Sequence, residues 1–173
     1  MTDSTAAFVG SVVKLAGSAN ADGDAPTVSV AADTDKPVGV IVGVDQVKDV
    51  ADANFSLYRK HRPASVNMYV YVIDDPEALF EAQADEALTA ADIGLNCGFV
   101  AESGNTTTGL STIEVDSSDK AADSTLPLRL EGLAARPNNV FGANQNVIVS
   151  FNKHAYKTSY DVGGSVEQGG LGT

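Results

Sequence analysis

Apolar residues come in short runs along this chain, and small polar residues and turns separate them. Phe8-Val-Gly-Ser-Val-Val-Lys-Leu15, Val38-Gly-Val-Ile-Val-Gly-Val44, Met68-Tyr-Val-Tyr-Val-Ile73 and Val147-Ile-Val-Ser-Phe151 are rich in β-branched residues. Gly, Asn, Asp and Pro lie between them, which is how a β-rich domain is written. Thr27-Val-Ser-Val-Ala31 alternates as a half-buried strand does. Two meandering hairpins then account for residues 7–47. Further strands are expected at Ser65–Ile73, Leu79–Gln83, Gly98–Ala101, Gly109–Val115, Leu126–Leu133 and Asn146–Asn152. In the clearest of these, Tyr69 and Tyr71 oppose Val70 and Val72. Asp74-Asp-Pro76 ends that strand, because proline cannot donate to a ladder.

Helical signals are few. Asp45–Asn54 places Val47, Val50 and Ala51 on one face. Residues 84–93 predict one short helix, with Thr89 as N-cap and Gly94 as its stop. Ser103–Gly109 and Asp116–Ser124 read as polar surface loops. The expected fold is therefore all-β, an antiparallel β-sandwich or barrel with one or two short helices and extended termini. Its parts are a flexible N-terminal arm (1–7), one β-rich domain (8–156) and a Gly-rich C-terminal tail (157–173). The tail holds five of the 16 glycines, at positions 163–172, and such a segment does not pack alone.

Composition sharpens this picture. With 173 residues, 43% of them apolar, the chain can bury a real core. Aromatics make up 6% and tryptophan is absent, so the core is mostly Val, Ile, Leu and Ala. No apolar run reaches the ~18–20 residues that span a bilayer. The start, Met1-Thr-Asp-Ser-Thr-Ala-Ala7, lacks the basic and apolar regions of a signal peptide. The expected location is the cytoplasm of the cell that makes it, unless a larger assembly carries it out. The net charge of −12, from 23 acidic residues against 11 Lys plus Arg, repels phosphates and argues against nucleic acid as partner.

Candidate chemistry is sparse. Asn20, Asp22 and Asp24 alternate like the start of a calcium loop, but Gly23 is misplaced and the twelfth position is Ala31. A turn is the better reading. His61 and His154 are the only histidines, and no nucleophile elbow accompanies them. Asp74, Asp75 and Glu77 crowd one turn rather than face each other across a cleft. Cys97 is a lone cysteine without basic neighbours, so it reads as a buried filler. Arg136-Pro-Asn-Asn139 reads as a tight turn, since Asn tolerates left-handed backbone. No catalytic, cofactor or metal residue is assigned, and the chain does not read as an enzyme.

Arg59-Lys-His-Arg62 stands apart, with three of the 11 basic residues within four positions of an acidic chain. Local sign reversal of this kind favours complementary docking. Arg59, Lys60 and Arg62 are the candidate docking residues, and Tyr156 and Tyr160 are candidate anchors at the base of the tail.

The layout resembles the small accessory head proteins of tailed bacteriophages, the decoration or cement proteins. The resemblance rests on Val12-Val-Lys-Leu15, Asp22-Gly-Asp-Ala-Pro26 and Pro37-Val-Gly-Val-Ile-Val42, then on Val70-Tyr-Val-Ile-Asp-Asp-Pro-Glu-Ala-Leu-Phe80. Leu126-Pro-Leu-Arg-Leu130, Asn138-Asn139 and Val147–His154 complete it. It implies a β-rich virion protein on the capsid exterior, soluble before assembly and homo-oligomeric, frequently trimeric. Its partner would be the major capsid protein, whose subunits it bridges without a cofactor. Two other readings stay open: a carbohydrate or cell-surface ligand-binding β module, and another virion component such as a tail or connector subunit.

Overall fold

A computed structural model describes residues 4–45, 58–101, 103–157, 159–160 and 166–167. In chain order its strands are β1 (Val12–Ala19), β2 (Pro26–Val30), β3 (Gly39–Val44), β4 (Val70–Ile73), β5 (Leu79–Gln83) and β6 (Asn96–Phe99). They continue with β7 (Gly104–Asn105), β8 (Leu110–Ser111), β9 (Val115–Ala121), β10 (Leu128–Leu133) and β11 (Asn146–Phe151). Two short strands follow in the tail, β12 (Ser159–Tyr160) and β13 (Val166–Glu167).

The strands build two main antiparallel sheets, β2-β1-β3-β4 and β5-β11-β10-β6-β9, with the pairs β7-β8 and β12-β13 beside them. The all-β sandwich expectation holds, and neither main sheet forms a closed barrel. Among the described residues no helix is long and apolar enough to cross a membrane.

The period-2 pattern decides which side chains go inside. Val12 and Ala31 of the first sheet pack with Cys97, Phe99, Val115, Leu128, Leu130, Val147, Val149 and Phe151 of the second. Val13, adjacent to Val12, points the other way, into a second cluster with Ala7, Val28, Val38 and Ile41. Successive side chains on a strand face opposite sides, so β1 serves both cores. Each fully buried Val or Leu contributes about 1.5–3 kcal/mol, which is ample for a chain without tryptophan.

Several sequence expectations change. The two hairpins do not run in simple order, because β3 pairs with β1 and leaves β2 at the edge. The Val38 amide donates to the Val13 carbonyl at 2.7 Å and starts that pairing. The strand expected at Phe8–Leu15 begins only at Val12. The Phe8 amide donates to Ser11 Oγ at 2.8 Å, and Gly10 at φ +100° turns the chain there.

The helix expected over 84–93 shrinks to a 3₁₀ turn, Ala90–Asp92. Asp92 Oδ2 accepts from the Thr89 amide at 2.8 Å, closing one turn. The Gly94 amide then donates to the Leu130 carbonyl at 2.8 Å, which draws the chain into the second sheet. Most of the other helical candidate, Asp45–Asn54, lies outside the described residues.

Asp116–Ser124, expected as a loop, is largely strand β9. Its register slips from Cys97↔Lys120 to Gly98↔Asp116. Asp116 holds the resulting bulge by accepting from the Ser118 and Asp119 amides at 2.8 and 3.1 Å. Its polar composition therefore marks an edge strand with a bulge. Ser103–Gly109 likewise contains β7 and the turn into β8, with Asn105 Oδ1 accepting from the Thr107 and Thr108 amides at 2.8 and 3.1 Å.

The turn readings stand. Asn20 Oδ1 accepts from the Asp24 and Ala25 amides at 3.1 and 3.2 Å, so its carbonyl closes the β1–β2 turn. Asp75 Oδ1 takes the Glu77 amide at 2.9 Å in the turn after β4. Asn138 has φ 61°, and Asn139 Nδ2 donates to the Ala134 and Asn146 carbonyls at 2.7 and 2.8 Å, tying the β10–β11 hairpin.

Gly39 is required where β3 meets β4, because a Cβ there would overlap the Ile73 carbonyl and approach Val72 Cγ1 to 2.7 Å. Gly39→Ala is expected to destabilise the fold by about 1–3 kcal/mol, since the obstacle is partly backbone. Urea denaturation checks this, with Gly132→Ala as control because a Cβ at Gly132 meets nothing within 4 Å.

Candidate docking surface

The basic run forms a braced corner where the N-terminal segment crosses the chain before β4. Ala7 and Arg62 exchange backbone hydrogen bonds, Ala7 N to Arg62 O at 2.9 Å and Arg62 N to Ala7 O at 2.8 Å. The Arg62 side chain is fully buried. Its guanidinium donates to the Thr5 carbonyl and, at 3.1 Å, to the Val66 carbonyl. Arg62 is therefore corrected from a docking residue to an internal strut, since a buried guanidinium offers no charge to a partner. The same contacts hold Thr5 and Ala7, in the described part of the expected N-terminal arm, against the body.

Arg62's neighbours are locked in turn. Phe8 and His61 stack with centroids 5.0 Å apart and planes 13° apart. Gly104 lies against that ring, where a Cβ would overlap Phe8. Gly109, at φ +79°, passes so close to the Lys60 backbone that a side chain would collide. Lys60 Nζ donates to the Thr107 carbonyl at 2.9 Å while its side chain stays exposed. Arg59 is half-buried beside it.

Tyr58, 87% exposed, is the most exposed large hydrophobic of this corner. The sequence reading passed over it, although a Tyr directly before a basic triplet was the available signal. Tyr58, Arg59, Lys60, His61, Thr106 and Thr107 together line a shallow recess. The corner presents aromatic area and positive charge on rigid backbone, on a protein of net charge −12.

Tyr156 stands elsewhere, half-exposed near the end of the body. Its amide donates to His154 Nδ1 at 3.1 Å, and the two rings meet edge to face at 5.6 Å. Tyr160 lies in β12, paired with Val166. Tyr156 does not line the recess around Tyr58, so it does not share one site with Arg59 and Lys60.

Burial pushes the Cys97 thiol up to about 12, reinforced by Asp119 and Asp116, so it stays protonated and inert. Burial also lowers the His154 imidazole below its ordinary 6.5, and nearby Lys157 adds to this; the Val38 backbone, Asp74 and Asp75 oppose it. His61 is lowered as well, by burial and then by Arg59.

A depressed histidine favours the fold in its neutral form. That stability is present above the unfolded value of 6.5 and is lost as pH falls toward the folded value. The thermal midpoint is therefore expected to fall between pH 7 and 5.5 at constant ionic strength. His154→Gln should flatten the slope, and scanning calorimetry of both proteins checks it. An unchanged slope in the variant would exclude His154 as the source.

Compared with protein-family models, with curated proteins and with solved structures, the chain matches none.

Proposed function

We propose that this chain is a structural virion protein, a decoration protein that binds the outside of a tailed-phage capsid and bridges major capsid subunits. It acts as a homo-oligomer, and the reading assigns it no catalysis and no cofactor. The observation that carries the reading is the braced corner of Tyr58, Arg59 and Lys60. Exposed tyrosine and basic side chains are common anchors of protein interfaces. Here they stand on a locked platform of a strongly acidic protein, so little ordering entropy opposes docking. A ligand that binds only the assembled shell stabilises it by mass action, and many copies add up to tight attachment.

The test is co-sedimentation with phage heads stripped of their decoration protein, with light scattering to count copies in the free oligomer. The unaltered chain is expected to saturate the heads and raise their melting temperature. Arg59→Glu with Lys60→Glu should weaken binding by at least about tenfold without changing the fold. Tyr58→Ala should do the same. Undiminished binding by these variants would sink the corner as the contact. Failure of the unaltered chain to bind heads would sink the decoration reading, and rings or tubes in negative stain would move it to a tail or connector subunit.

A further inference from the structure

The two main sheets present four edge strands, and three of them carry a charged residue or a proline within the strand. β2 opens at Pro26 and its ladder slips register against β1. β5 carries Glu81, which pairs with Arg136. β9 holds Asp116, Asp119 and Lys120 and is bulged. Charge, proline and bulges are the usual protection of an edge. β4 shares the slipped register, between Ile41 and Gly43 of its partner β3, but carries neither charge nor proline: it reads Val70-Tyr-Val-Ile73.

Its side chains alternate. Tyr69, Tyr71 and Ile73 are 50%, 58% and 40% exposed. Val70 and Val72 turn into a cleft of about 320 Å³ between β4 and β2, which Leu15 and Val28 also line. Asn20 Nδ2 in the β1–β2 turn donates to the Tyr69 hydroxyl at 3.0 Å across one end. Among the described residues, nothing pairs with the outer side of β4.

β12 and β13 form a complementary loose end. They make a two-rung antiparallel ladder, Ser159↔Glu167 and Tyr160↔Val166. A two-stranded hairpin alone is at best marginal in water and needs a third strand. The chain enters it from beside the C-terminal end of β4. The Ala155 amide donates to the Pro37 carbonyl at 2.7 Å, and Lys157 pairs with Glu77 at 3.3 Å. Tyr156 and Asp74 both line the cleft.

At about 3.3 Å per residue, Ser159 lies within ~7 Å of Lys157. A strand that turns back from there along β4 runs antiparallel to it, and its hairpin partner runs antiparallel again. We propose that the C-terminal β12–β13 hairpin adds to the free edge of β4 as the fifth and sixth strands of the first sheet. Every neighbour pair in the enlarged sheet is then antiparallel, and the hairpin gains the apolar face of β4 that it lacks.

The test uses the full chain. Cys97 is buried and its thiol stays protonated, so engineered thiols react over a low background. Ser159→Cys is combined in turn with Tyr69→Cys, Tyr71→Cys and Ile73→Cys, three positions that sample the register. The control pair is Ser159→Cys with Val140→Cys, a position 70% exposed elsewhere on the surface.

Under mild oxidation, at least one β4 pair is expected to close within the chain at least tenfold faster than the control. Equal rates would overturn the proposal, and so would disulfide-linked dimers, which would give the edge to a second copy. Hydrogen exchange supplies a readout independent of thiols. Tyr160→Pro removes an amide from β12, and exchange at the β4 amides should then quicken at least tenfold. Unchanged exchange would also overturn the proposal. Neither result depends on binding to phage heads.

Discussion

Arg62→Ala is expected to lower the unfolding free energy by about 3 kcal/mol, because it removes a buried guanidinium bonded to two backbone carbonyls and empties the space under the corner. Thr5 and Val66 both lose a charged donor. Hydrogen bonds to a charged group contribute about 1.5–3 kcal/mol, and the lost aliphatic stem adds to this. Arg62→Lys should recover only part of the loss, since one ammonium cannot reproduce a fork aimed at two carbonyls.

Urea denaturation of both variants checks this, with Lys60→Ala as a surface control expected to stay within about 0.5 kcal/mol. The same variant links stability to docking. Under the proposed function, Arg62→Ala is expected to weaken binding to phage heads as much as Tyr58→Ala does, although its side chain never meets solvent. A variant as stable as the unaltered chain would contradict the strut assignment.

Phe151→Ala is expected to cost about 3–5 kcal/mol, the largest single-site effect in the second sheet. Phe151 ends β11, which sits between β5 and β10, and it is 1% exposed. Its ring meets Phe80 edge-on at 5.3 Å and lies 5.6 Å from His154. Removing it leaves a cavity that rigid neighbours on three strands cannot fill. Phe151→Leu should lose clearly less, because it keeps most of the volume. Chemical denaturation checks both, and an unchanged m-value would confirm that only stability has moved. A loss below about 1 kcal/mol for alanine would mean that the core there collapses around the gap.

Much of the fold was legible because its signals are local. Alternation in Thr27–Ala31, and the apolar run Val147–Phe151, mark strands whatever their neighbours. Asn20, Asp75, Asn138 and Asn139 mark turns because their side chains bond backbone within a few residues. The candidate site was legible only in part. A basic cluster on an acidic chain is visible in one dimension, but exposure is not, so Arg62 looked like its neighbours and Tyr58 drew no notice.

Sequence alone determined the class of structure: many short strands, a core of Val, Ile and Leu, small-residue turns and an inert buried cysteine. Each follows from period, volume and backbone preference, which act over a few residues. Tertiary structure decided the rest. It placed β3 beside β1, turned the polar run Asp116–Ala121 into a bulged edge strand, and reduced the helix at 84–93 to a single turn. It also drew Arg62 inside to bind Thr5, a partner 57 residues away. These outcomes depend on which backbone groups meet across long separations, where the free energy of pairing outweighs local preference.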